Sequence, residues 1–327
     1  MKKWNHAAVG LLFVLTLSIF AKELSLWVEP FLQMEALTIA IILGILYNNL
    51  IGTQQNLLAG VNFALKKLLK IGIVLLGFKL NLQVLWALGP KIIILVVTYV
   101  ATALMLSWLV GKMLKLPPRL ATLLGVGSCI CGASAVVAMA PCIDAEEEDS
   151  VLAVSVVSFL GAIGVLIYSA IAVANDSITP VQYGVWSGLS LHGVAHAIAA
   201  AFAMGDQAGE IGTLVKMARV LMLVPVSLGL SFLYRKEDGK SKRAGFPFYV
   251  LYFILAGIIN TMGVLPGSMV GFFGQMSNWL ILMAMTAMGL MVDGKSLVKR
   301  GAHAGIAGIV IFGILSLGSY LIITAWL

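Results

Sequence analysis

Long apolar runs separated by short polar connections set the rhythm of this chain. Eleven stretches read as membrane-crossing helices, near 7–27, 34–52, 62–80, 87–111, 119–141, 150–174, 182–204, 210–234, 246–264, 269–292 and 303–326. About 18 apolar residues suffice for such a span. Pro30, Pro90, Pro117, Pro118, Pro180 and Pro247 fall at or near the proposed boundaries, where helices begin or end. The third run is the least regular, because Lys66, Lys67 and Lys70 occupy its first turns. The first has the look of a signal peptide, with Lys2 and Lys3 before an apolar stretch from Ala7 to Phe20. Ile19-Phe20-Ala21 is a poor cleavage site and further spans follow, so this segment reads as an uncleaved helix.

Charge orients these spans. Lys2, Lys3, Lys66, Lys67, Lys70, Lys112, Lys115, Arg119, Arg235, Lys236, Lys240, Lys242, Arg243, Lys295, Lys299 and Arg300 all fall on the N-terminal side of the alternation, and they are most of the 21 basic residues. Basic loops stay in the cytoplasm, which places the N-terminus inside and the C-terminus outside a bacterial plasma membrane. The acidic run "DAEEED" (144–149) then faces outward, as a solvated helix start with carboxylates at the positive dipole end. The longest polar connection, "YRKEDGKSKRAGFP" (234–247), is a cytoplasmic link.

Composition excludes several classes. Of the 327 residues, 61% are hydrophobic and only 11% charged, against about 25% charged in a soluble domain. The chain is an all-α polytopic membrane protein. Its net charge of +7 sits in loops, with no solvated basic domain to bind nucleic acid. Cys129, Cys131 and Cys142 give no metal spacing and read as small apolar packing residues.

One stretch breaks the helical pattern at mid-depth: "GVGSCICGASAVVAMAP" (125–141). Close helix packing through small residues is one reading. A broken helix is the other, in which Gly125, Gly127 and Gly132 permit unwinding and something must satisfy each freed backbone group. A half-helix starting near Gly132 would aim amides at the membrane centre and suit an anion. Gly127, Ser128, Cys129, Gly132, Ala133 and Ser134 are therefore candidate substrate-binding residues. Lys216 and Arg219, three apart on one helix face, lie about 9 and 13 Å from the outer end at 1.5 Å per residue. They either snorkel outward or supply positive charge to a pathway. His192 and His196, one turn apart in "LHGVAHA", are candidate coupling groups. "HGVAH" resembles the zinc-protease H-E-x-x-H, yet Gly193 replaces the general-base Glu and no third ligand stands out. Ser128 and Ser134 lie outside any G-x-S-x-G. With Glu35 and Asp293 at helix ends, no pair of intramembrane carboxylates exists to carry cations, so the sequence leans toward anions.

"GSCICGASAVVA" with "PCIDAEEEDSVLAV" resembles the YeiH-type sulfate-exporter family. So do "LLKIGIVLLGFKLNLQVL" (68–85), "KMARVLMLVP" (216–225) and "AMGLMVDGKSL" (287–297). The resemblance spans nearly the whole chain. It implies about eleven helices and a relation to bile-acid-symporter and sodium/proton-antiporter folds, with an extra N-terminal helix (1–30) and two inverted five-helix repeats (31–176 and 177–327). The repeats would cross at broken helices, the fifth and the tenth. Gly193 and His196 depart from the family's usual acid and Gln. The implied activity is that of a non-enzymatic secondary transporter of a small anion such as sulfate or sulfite, working by alternating access without cofactor or metal, as a monomer or a homodimer in the lipid bilayer. A sodium- or proton-coupled organic-anion transporter is the neighbouring alternative. An intramembrane hydrolase built on His192 and His196, or a channel, is the alternative from another class.

Overall fold

The structure is a computed structural model that describes residues 2–32, 36–79, 89–174, 178–237, 248–291 and 294–327. Glu35, Asp293 and most of the 234–247 link lie outside the described residues. Every regular element described is helical: α1 (Lys2–Leu32), α2 (Ala36–Leu50), α3 (Leu58–Phe63), α4 (Leu69–Leu76), α5 (Gly89–Met113), α6 (Pro118–Cys129), α7 (Ala133–Met139), α8 (Glu147–Ala174), α9 (Pro180–Ser190), α10 (Val194–Phe202), α11 (Asp206–Leu221), α12 (Leu223–Glu237), α13 (Phe248–Thr261), α14 (Gly267–Gly289) and α15 (Gly294–Trp326). Five segments are long and apolar enough to cross a membrane outright: Ala7–Trp27, Gly89–Met113, Glu147–Ala172, Asp206–Tyr234 and Arg300–Trp326.

The chain forms two compact units. One comprises Met1–Leu82, Glu146–Val151 and Glu237–Arg300. Its helices interlock at small residues: Gly44 sits so close to Gly289 that an added Cβ would lie 2.9 Å from its backbone. Ser18 and Thr286 share a buried hydroxyl hydrogen bond of 2.8 Å. The lysine-bearing third run is irregular here too, with a π-helical turn over Ala64–Leu68. At the start of α8, Arg300 reaches Asp149 at 2.7 Å and Glu148 at 3.5 Å.

The other unit comprises Gln83–Ala145, Leu152–Lys236 and Gly301–Leu327, and it departs from the sequence expectation in one decisive way. The 119–141 and 182–204 runs are not single straight helices. Each folds back on itself. In the first, Nε of Arg119 donates to the carbonyl of Ile143 at 2.9 Å, so its two ends lie together. Gly127 of α6 faces Val136 of α7, with room for no more than a hydrogen. In the second, the Tyr183 hydroxyl donates to the carbonyl of Ala200 at 3.2 Å. A straight helix would hold those two residues about 25 Å apart.

The hairpins enter from opposite ends of the unit. The segment from Ala208 to Tyr234 packs by one end on the foot of the second hairpin, at Gly184. By the other it packs on the foot of the first, where Tyr234 bonds Thr122 at 2.7 Å and the Pro118 carbonyl at 3.2 Å. Those 27 residues span roughly 40 Å, the full thickness of a bilayer. Along α8, Val157 meets Gly127 near the first tip, Gly164 meets Leu191 at the second, and Tyr168 bonds Ser190. The tips meet in the middle: a Cβ on Gly132 would lie 3.2 Å from Gly193.

Two further expectations are corrected. The tenth run is an unbroken helix, α14, and the second interruption lies at Leu191–Gly193 instead. The acidic run does not face away from Arg300 but binds it. The 144–149 run contains no Lys or Arg, so a rule based on basic residues gave no signal of its side.

Candidate functional site

Both hairpin turns bury helix ends inside the packed unit, where each unmet backbone group costs about 1–3 kcal/mol. In the first, α6 ends at Cys129, Ile130 leaves helical geometry at φ −113°, ψ −95°, and α7 restarts after Gly132 at φ +75°. A positive φ of this kind strains any side-chain-bearing residue. In the second, Leu191 and Gly193 take extended conformations, φ −67°, ψ 147° and φ −71°, ψ 156°, and α10 starts at Val194.

Arg219 and Lys216, both fully buried, satisfy the carbonyl ends. Arg219 donates from Nε to the carbonyl of Cys129 at 2.9 Å, from Nη2 to that of Ser128 at 2.6 Å, and from Nη1 to those of Gly188 at 3.1 Å and Leu191 at 2.7 Å. One guanidinium thus joins the C-terminal ends of α6 and α9, where helix dipoles concentrate negative charge. Its free face lies over the Tyr99 ring, 5.3 Å from the centroid. Nζ of Lys216 donates to the carbonyls of Leu191, at 2.6 Å, and His192. Neither cation snorkels to a surface; both face inward.

The other candidates cluster around this knot. Ser128 Oγ lies 3.4 Å from Nε2 of His192. His192 sits in the second turn, with its ring 4.9 Å from that of Phe312 and its Nδ1 buried without a hydrogen-bond partner. His196 lies beyond the break, in α10, with its ring against Gly161 of α8. The two histidines are therefore not stacked on one continuous helix. Ser134 opens α7, with Oγ 3.0 Å from the Cys131 sulfur and 3.3 Å from the Cys131 carbonyl. Gly127 and Ala133 are buried against neighbouring helices. Among the described residues, no three His, Cys, Asp or Glu side chains converge as a metal site.

Sequence reasoning missed the residues that hold the second hairpin sideways. The Tyr168 hydroxyl shares hydrogen bonds with Ser190 at 2.6 Å and Ser316 at 2.7 Å. Trp186 Nε1 donates to the Ser316 carbonyl at 2.9 Å, and its ring stacks on Tyr168 at 4.1 Å. Only the clustering of Trp, Tyr and Ser in "QYGVWSGLSLHG" hinted at such a network.

Two facing helical hairpins, stitched at their tips by buried cations, lie in a protein whose five long apolar helices mark it as a multi-pass membrane protein with interrupted helices. Residues 9–308 match the family model described as Conserved hypothetical protein 698. The chain is 34% identical over 330 residues to a UPF0324 membrane protein of Bacillus anthracis, covering 99% of this chain and 96% of that one. It is 34% identical over 301 residues to a UPF0324 membrane protein of Staphylococcus aureus, covering 91% and 90%. The protein belongs to this UPF0324 family, the YeiH-type family its motifs resemble. The sodium proton antiporter MjNhaP1 of Methanocaldococcus jannaschii overlaps it with a TM-score of 0.30 at 15% identity, over 94% of this chain and 100% of the other. That overlap is too loose to bear on fold or activity.

Proposed function

We propose that the protein is a secondary transporter of a small oxyanion, sulfate or sulfite, across the bacterial plasma membrane by alternating access. The carrying observation is the charge balance at the tips. Four helix ends converge there, and the two negative ones are met by Lys216 and Arg219. Among the described residues, no carboxylate is hydrogen-bonded to the two positive ends, at the starts of α7 and α10. Neither hairpin contains an Asp or Glu, and none occurs in α5, in α8 after Asp149, in α11 after Glu210 or in α15. A buried excess of positive charge is costly unless paired, and a bound anion would complete the site as helix N-termini favour. Helices interrupted at the bilayer midplane are the usual substrate sites of secondary transporters.

On this reading nine helical passes cross the bilayer, the two hairpins re-enter from opposite faces as an inverted pair, and the N-terminus is cytoplasmic. Ser128, Ser134 and the amides near Gly132 and Ala133 bind the anion. His192 or His196 carries the coupling proton. Proteoliposomes test the proposal: unlabelled sulfate trapped inside should drive saturable uptake of labelled sulfate. Uptake that neither saturates nor responds to trapped substrate would mean a channel or no anion pathway.

A further inference from the structure

Helices α8 and α15 run side by side in the same direction. Along them Asp149 pairs with Arg300, Leu152 faces Gly301, Val156 and Leu160 meet Gly308, Gly164 meets Phe312, and Tyr168 bonds Ser316. Both sets of numbers rise together, so the pair is parallel. Parallel helices put their positive ends on the same side, and the carboxylates around Arg300 offset this. Among the described residues, the polar ties between the two helices sit at their ends. At the feet, Arg300 reaches Asp149 at 2.7 Å, Glu148 at 3.5 Å and Glu146 at 3.9 Å. Roughly 24–29 Å further along, the Ser316 and Tyr168 hydroxyls share a hydrogen bond of 2.7 Å. Between these ties, glycines meet aliphatic and aromatic side chains, which resist separation but form no directional bond against sliding.

The second hairpin is fastened to each helix separately. The Ser190 hydroxyl donates to the carbonyl of Trp186, so it accepts from the Tyr168 hydroxyl of α8, which in turn accepts from Ser316, since each hydroxyl has one hydrogen to give. Trp186 Nε1 donates to the Ser316 carbonyl of α15. Trp186 and Ser190 are one turn apart on α9. A slip of α8 against α15 would therefore pull adjacent turns of α9 in opposite directions. The turn that follows carries the Leu191 carbonyl held by Arg219 and Lys216.

We propose that α8 and α15 form a register lock with two pins, Arg300 at the feet and the Ser316 hydroxyl at the far end, whose release shears the second hairpin. Small slides of packed helices are a recognised way for proteins to switch state. The lock works whatever the protein carries, so it stands apart from the oxyanion reading. Either pin alone keeps the register. With Arg300 released, Ser316 still holds Tyr168; with the Ser316 hydroxyl gone, Arg300 still holds Asp149. With both gone, α9 is left to bridge the two helices through Ser190 and Trp186, and it takes the load.

Amide hydrogen exchange of the detergent-purified wild type, Arg300→Gln, Ser316→Ala and the double variant tests this. Ser316→Ala keeps the carbonyl that Trp186 uses. In the wild-type background, Arg300→Gln should speed exchange over 147–152 and change that of 184–191 by less than about two-fold. In the Ser316→Ala background the same substitution should speed exchange over 184–191 by about two- to thirty-fold. Contacts this far apart normally act independently. An equal effect of Arg300→Gln in the two backgrounds, small or large, would overturn the lock and leave two separate structural ties. Arg300→Lys keeps a charge beside buried Asp149 but is too short to span the three carboxylates. It should show the same pattern more weakly, and it decides the matter if Arg300→Gln fails to fold.

Discussion

The two hairpins do the same thing by different means. The first turns on a glycine at φ +75° and is held mainly through backbone: Arg219 grips its tip carbonyls, and Arg119 and Tyr234 grip its feet. The second turns through extended residues that strain nothing. A Thr179–Gln182 capping box opens it, and the aromatic and hydroxyl network of Tyr168, Trp186, Ser190 and Ser316 ties it sideways to α8 and α15. The tip of the first hairpin hangs on one cation, whereas the second hairpin has a wider set of anchors. Losses at shared residues should therefore fall unevenly on the two.

Arg219→Gln is the largest expected break. It removes a charge holding four carbonyls, and at about 1–3 kcal/mol for each group left unmet the loss rivals the 5–15 kcal/mol stability of a typical domain. Little folded protein should be recovered by size-exclusion chromatography, and proteolysis of what remains should cut first near residues 128–132. Lys216→Met should cost less, about 2–4 kcal/mol, because Leu191 keeps Arg219 and Ser190 keeps Tyr168. A lowered Tm with monodisperse protein is the expected result; equal damage from both variants would dissolve the asymmetry. Gly132→Ala forces a side chain into positive φ against Gly193 and should cost about 1–3 kcal/mol, read as a drop in Tm. Smallest are the feet. Arg119→Gln and Tyr183→Phe should each cost about 1–2 kcal/mol; the first should speed amide exchange in its own hairpin, and the second in its hairpin and in α8 around Tyr168, whose carbonyl also accepts from Tyr183.

Much of this was legible, and the illegible part has a physical cause. The glycines of 125–132 announced an interruption, and Ile130–Gly132 lies where they pointed. Depth and charge singled out Lys216 and Arg219, but the partners seen are backbone carbonyls, which no side-chain pattern records. His192 and His196 read as one helix face because i, i+4 spacing presumes an unbroken helix; Gly193 was a sign of the turn and passed for a missing acid. The fold-backs left no trace in hydropathy, which measures the length of an apolar run and not its direction. Charge was silent as well, since reversing 118–142 and 180–202 together moves no basic loop.

Sidedness separates paired hairpins from crossing helices most directly. Single cysteines replacing Lys115, Ala145, Thr179 and Gly205, each in a background without Cys129, Cys131 and Cys142, can be probed in intact cells with a membrane-impermeant maleimide. Paired hairpins predict that positions 115 and 145 share one face and that 179 and 205 share the other, with the first pair protected until the cells are opened. If position 145 labels from outside while 115 stays protected, the first hairpin is a crossing helix, and the facing tips and the proposed anion site fall with it.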